Sequence, residues 1–139
     1  MSGIDRVRII SLQKNFGAEQ LQDLPAGTAI ERPGFEFDEG NDAFIDTAAI
    51  MAHLDLVVTS DTSIAHLAGA LGRPVWIALK YVPDWRWLMG RSDSPWYPTA
   101  RLFRQKTLDD WEGVASEIAE ALRAAAGRPG SASSMNCVA

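Results

Sequence analysis

The chain of 139 residues has no second cysteine, no long apolar run and no surplus of basic side chains. A lone Cys137 excludes an internal disulfide. No stretch reaches the ~18 consecutive apolar residues that a membrane span needs. Asp and Glu number 18 against 13 Lys and Arg, a net charge of -5. That balance argues against nucleic acid or an anionic membrane as partner, because both need a basic face. The first residues, Met1 to Arg6, lack an apolar core of the signal-peptide kind, so a cytoplasmic protein is expected. His53 has no partner at metal-ligand spacing and reads as an ordinary helix-end residue, and neither metal nor cofactor is expected. What is present is a globular balance of 47% hydrophobic and 22% charged residues, enough for one domain.

Apolar and polar segments alternate along the chain. Arg8 to Leu12 reads as a strand, Gln13 to Gly17 as the loop after it, and Ala18 to Gln22 as a short helix. Residues 23–43 carry Pro25, Gly27, Pro33, Gly34 and Gly40, which leave room only for brief strands at Thr28–Glu31 and Phe35–Phe37. Asp46 is placed as the N-cap of a helix over Thr47–Leu54. Leu56–Thr59 and Val75–Leu79 are continuous apolar strands, the kind covered on both faces in a parallel sheet. The helix between them ends with Gly72 at its C′ position and Pro74 just beyond. Residues 80–100 form a long loop and Ala100–Arg104 a last strand. Thr107 or Asp109 is expected to cap a final helix over Asp110–Ala126. Trp111, Val114, Ala115, Ile118 and Leu122 form its apolar stripe. From Gly127 on, Gly, Pro, Ser and Ala dominate, so a disordered tail over 127–139 is expected behind a domain over 1–126. This order predicts an α/β fold: a Rossmann-like parallel sheet with helices on both faces, binding ligands beyond the carboxyl ends of its strands.

The segment from Ser60 to Pro74, "SDTSIAHLAGALGRP", puts polar groups at such a place. The first amides of a helix have no partner inside it, and its dipole adds about half a positive charge there. A phosphate or diphosphate fits that end. Thr62 and Ser63 supply hydroxyls, Asp61 can cap the helix or hold a sugar hydroxyl, and His66 lies one turn on. The same residues also read as an ordinary cap with a helix histidine, since no glycine-rich phosphate loop precedes them. Ser60, Asp61, Ser63 and His66 are not a hydrolase triad, for the Gly-x-Ser-x-Gly turn is missing.

Three tryptophans, Trp85, Trp87 and Trp96, fall in the long loop, where they could stack on a base or sugar or else anchor the loop. Trp76 and Trp111 are expected in the core. Asp84 and Arg86 could face a sugar or pair with each other. Lys14 could be a plain loop lysine or a phosphate ligand, and Gln13 could read a base or ribose edge.

The run "DTSIAHLAGALGRPVW", with "PDWRWL" and "DSPWYPTARLFRQ" after it, resembles glycosyltransferase family 9, the heptosyltransferase-like enzymes. It is most similar to the glycosyltransferase-like region at the C-terminus of bacterial tetratricopeptide-repeat proteins. The resemblance covers about residues 8–122. It implies the C-terminal, donor-binding half of a GT-B fold, which holds a nucleotide diphosphate sugar for inverting transfer to an acceptor hydroxyl. By position it implies that Lys14, Asp61, Thr62, Ser63 and His66 line the donor diphosphate. Gln13, Asp84, Trp85 and Trp87 are candidate base or sugar contacts from their own place in the chain, not from the resemblance. Ser63 stands where the family often has glycine. No counterpart of the family's acceptor domain or general base is found, so no catalytic residue is expected here. A partner chain carrying the acceptor half, or a homodimer, is the expectation that follows. Two other readings stay open: a non-catalytic nucleotide or nucleotide-sugar binding module, and a scaffold remnant that dimerises through its bare face.

Overall fold

The computed structural model describes residues 4, 6–14, 19, 21, 23, 29–34, 36–39, 44–127 and 135–138. Strand β1 is Val7–Ile10, β2 Ile30–Glu31, β3 Leu56–Ser60, β4 Val75–Leu79, β5 Ala100–Arg104 and β6 Met135–Val138. Helix α1 is Ile45–Ala52, α2 Ser63–Ala70 and α3 Trp111–Ala126, and a 3-10 turn covers Trp85–Trp87. The strands form one sheet in the order β2-β1-β6-β3-β4-β5. Every neighbouring pair is parallel.

Alternation of side chains along the strands divides the core into two layers. Val57 of β3 and Val75, Ile77 and Leu79 of β4 pack under α1 and α2, with Met51, Ala65 and Ala68. Leu56 and Val58 turn to the other face, against Val114, Ile118 and Leu122 of α3. The apolar strand runs have this cause: a sheet covered on both sides needs apolar residues in both registers. The result is the expected α/β parallel sheet with helices on both faces.

Helix ends refine the sequence reading. Gly72, at φ 65, is the left-handed residue after α2. Gly72 N–H donates to Gly69 O at 3.1 Å and Arg73 N–H to Ala68 O at 2.9 Å, a Schellman end as expected. At α1 the expected Asp46 cap is replaced. Asp38, from the preceding turn, accepts from Asp46 N–H at 3.1 Å and Thr47 N–H at 3.3 Å. Asp46 returns the bond, accepting from Asp38 N–H at 2.9 Å. Phe44 enters the helix at φ 74, which leaves Asp46 inside the first turn. At α3 neither Thr107 nor Asp109 caps; Asp110 does, accepting from Gly113 N–H at 2.9 Å. The buried stripe is Val114, Ile118, Leu122 and Ala126. Trp111 is 42% exposed, and Ala115 also faces solvent, so neither joins the core.

Two further expectations change. Glu36 to Asp38 form a turn in place of the Phe35–Phe37 strand, with Phe37 N–H bonded to Gly34 O at 3.2 Å; Phe35 lies outside the described residues, as does most of the Ala18–Gln22 helix. Met135–Val138, within the stretch expected to be a disordered tail, is a strand between β1 and β3. Its pairing partners lie about 80 and 130 residues away, so composition around it gives no hint of the slot.

Candidate functional site

The carboxyl ends of β1 and β3 open on one cleft of about 510 Å³, within the range of small-molecule sites. Gln13 and Lys14 follow β1, Thr59 and Ser60 end β3, and Thr62 and Ser63 begin α2; all six line this cleft. Thr62 is the α2 N-cap, extended at φ -137, and makes no side-chain cap hydrogen bond. Its hydroxyl sits 3.2 Å from that of Thr59. The start of α2 therefore reaches the cleft with its dipole and its exposed Thr62 and Ser63 hydroxyls.

Lys14 is tied to the cleft wall. Its ammonium donates to the carbonyl oxygens of Asp38, at 2.7 Å, and Phe37. An ammonium has three donors, so these two bonds fix its position without using all of its capacity. Gln13 and Lys14 also border a neighbouring cavity of about 330 Å³ with Arg32. Lys14, Thr62, Ser63 and Gln13 are thus brought together.

Asp61 and His66 lie elsewhere. Asp61 lines a second cleft of about 430 Å³ with Ser60, Lys80, Asp84 and Trp111. Ser60 borders both clefts, so they flank the start of α2. His66 is half-buried: its ring stacks on Trp87 at 5.2 Å between centroids and 19° between planes. Its Nδ1 is 3.0 Å from the Tyr97 hydroxyl.

Among the loop residues, Asp84 caps the 3-10 turn, accepting from Arg86 N–H at 3.0 Å, and ion-pairs with the Arg86 guanidinium at 2.8 Å. The Arg86 backbone amide, then its side chain and, more weakly, His66 hold the Asp84 carboxyl below its usual range. Of the two alternatives for Asp84 and Arg86, the pair is the one formed. Trp85 is 68% exposed, with the Arg86 guanidinium 5.0 Å from its ring. Trp87 is fully buried and takes the anchoring role, so it offers no face to a base or sugar. Trp96 is exposed, and its indole N–H donates to Arg86 O at 2.9 Å, which ties the two halves of the loop together. Trp76 is half-buried beside Phe103, and His53 is simply the C-cap of α1.

Tyr97, Asp38 and Lys80 were not picked out from sequence. Asp38 and Lys80 stand in polar loops whose folding no local pattern reveals. Tyr97 had a usable signal: an aromatic hydroxyl in "SPWYP", within a loop already rich in aromatics.

Residues 43–81 match the family model of glycosyltransferase family 9 (heptosyltransferase). The matched segment runs from the entry of α1 through β3 and α2 to the end of β4, so it contains Asp61, Thr62, Ser63 and His66. Lys14 and Tyr97 lie outside it. A stretch of 78 residues is 37% identical to the protein FlbA of Caulobacter vibrioides, covering 56% of this chain and 13% of that protein. The match therefore spans a small part of that relative's length. No solved structure matches. Among the described residues no helix is long and apolar enough to cross a membrane. No cluster of three metal-ligating side chains occurs among them either.

Proposed function

We propose that the chain is the donor-binding domain of a family-9-like glycosyltransferase, taking a nucleotide diphosphate sugar for inverting transfer to an acceptor hydroxyl. The observation that carries this reading is the start of α2, which opens beside Lys14 on the 510 Å³ cleft. A diphosphate there meets the helix dipole, two hydroxyls and an ammonium. Such fixed charge opposes the negative charge that builds on the leaving nucleotide as the glycosidic bond breaks. The neighbouring cavity, bordered by Gln13 and Arg32, suits the nucleoside. The cleft beyond Ser60, with Asp61 and Asp84, suits the sugar, since carboxylates accept from hydroxyls.

On this reading the acceptor and the general base come from elsewhere, in a partner chain or a further domain. The chain by itself binds donor and transfers little. Calorimetry with nucleoside diphosphates tests the reading. Binding is expected, weakened by Lys14→Ala; heat changes no larger than buffer dilution across uridine, guanosine, adenosine and cytidine diphosphates would remove it. Transfer of a labelled sugar, assayed with an acceptor domain supplied, separates a donor domain from a module that only binds.

A further inference from the structure

Trp111 opens α3 outside the matched segment, and it departs from the stripe to which its spacing assigns it. Val114, Ile118 and Leu122 of that stripe are buried, whereas Trp111 is 42% exposed. It lines the cleft of about 430 Å³ at the carboxyl end of β4. The backbone leading to it is specific. Asp109 stands at φ 62, a left-handed value uncommon outside glycine. Asp110 follows at φ -76 and ψ 64, an inverse γ-turn closed by Trp111 N–H to Asp109 O at 2.8 Å.

The rest of the cleft divides by chemistry. Val82 and Pro83 add apolar wall to the indole, while Asp61, Lys80 and Asp84 supply charge. Among the described residues neither Asp61 nor Lys80 has a hydrogen-bond or ion-pair partner. Both Arg86 bonds to Asp84 fall on Oδ1, which leaves Oδ2 open among the described residues. A pyranose has the matching pattern, with C–H groups on its faces and hydroxyls around its rim. The electron-rich face of an indole attracts C–H groups. Carboxylates accept from hydroxyls, and an ammonium donates to them. Two carboxylates against one ammonium make the cleft acidic, so a sugar carboxylate would meet like charge. We propose that Trp111 is the platform for a sugar ring in this cleft, and that the sugar is an uncharged pyranose. That the sugar arrives on a nucleotide rests on the donor-binding reading; the match between cleft and pyranose does not.

The test titrates the whole chain with UDP-glucose, GDP-mannose and UDP-glucuronic acid, each against its bare diphosphate. Trp111 lies outside the buried core, so its replacement leaves the fold intact. Wild type is expected to bind at least one neutral sugar nucleotide roughly fivefold more tightly than the bare diphosphate, the worth of covering one ring face. Trp111→Ala is expected to erase this gain and leave affinity for UDP and GDP unchanged, with Trp111→Phe keeping part of it. UDP-glucuronic acid is expected to gain nothing over UDP. No gain from either neutral sugar in wild type, or a gain that survives Trp111→Ala, overturns the platform. An equal gain for UDP-glucuronic acid overturns the uncharged sugar. Proton NMR of the Trp111 indole N–H with methyl glucoside and methyl mannoside needs no nucleotide. A signal moved by either glycoside, with no binding of UDP or GDP, upholds the site and removes the donor reading. A signal that stays still with both glycosides and both neutral sugar nucleotides, while UDP or GDP binds, overturns the site and keeps the donor reading.

Discussion

Strands β3, β4 and β5 and strands β1, β2 and β6 share one sheet but are held by different forces. On the first side, β4 runs beside β5 over its whole length, and Val57, Val75, Ile77 and Leu102 are almost fully buried. On the second side β2 has two residues, and β6 meets β3 only at Leu56–Cys137 and Val57–Val138. β1 and β6 pair over all four residues, with Ile9, Cys137 and Val138 buried, and exposed polar contacts add to this ladder. Arg8 ion-pairs with Glu31 of β2 at 2.8 Å and donates to the Asn136 side chain of β6 at 3.1 Å. Asp55 accepts from Asn136 N–H at 2.7 Å. Ion pairs of this exposure add little stability, so with its two-residue β2 the second side is the weaker of the two. The lesson concerns function too: the start of α2 stands on the strong side, while Lys14 reaches it from the weak one.

Substitutions can break or sharpen this contrast. The largest effect is expected for Trp87→Ala. It empties the fully buried anchor of the long loop and should cost about 3–5 kcal/mol in denaturant unfolding. A cost below about 1 kcal/mol would mean that the loop is not anchored by that ring. Next comes Gly69→Ala, whose methyl would overlap the Tyr97 ring. Overpacking of this kind costs about 1–3 kcal/mol, and the His66–Tyr97 contact should be lost with it.

Lys14→Ala tests the weak side. It releases the Asp38 and Phe37 carbonyls, and a nucleoside diphosphate should bind roughly tenfold more weakly, the worth of one charge-assisted contact. Unfolding stability should barely change. The reverse pattern, lost stability with full affinity, would make Lys14 a turn-holding residue only. Asp110→Ala removes the α3 cap and should cost about 1 kcal/mol, with no effect on ligand binding.

The smallest change expected is at Cys137, in the middle of β6. Burial is the main cause that pushes its thiol up to about 12. The folded state therefore keeps a proton that the unfolded chain releases near its ordinary value of 9.0. The thiol favours folding fully below about pH 9, and that contribution fades as pH rises toward about 12. At pH 8 a thiol reagent should label Cys137 only as β6 opens, more slowly than it labels the denatured chain. Labelling at the denatured rate would show that β6 does not hold its place between β1 and β3.

The same contrast explains what could be read from sequence. Val75–Leu79 and Ala100–Arg104 were legible to the residue because local apolar runs flanked by Gly72, Pro74 and the loop specify them. Gly72 was legible because only a left-handed turn needs it there. The cap by Asp38, the strand at Met135–Val138 and the seat of Tyr97 were not, since each depends on a partner far along the chain. At the site, the segment from Asp61 to His66 was read correctly as the start of a helix after a buried strand. Asp61 and His66 lie outside the cleft that Lys14 shares with Thr62 and Ser63, because loop and aromatic partners distant in sequence set their places.

The measurement that bears most directly on the donor site is an amide NMR titration of the whole chain with a nucleoside diphosphate. The largest shifts are expected on the amides from Thr62 to Ala65 and around Lys14, saturating together. Shifts gathered elsewhere, or none at saturating ligand, would contradict it.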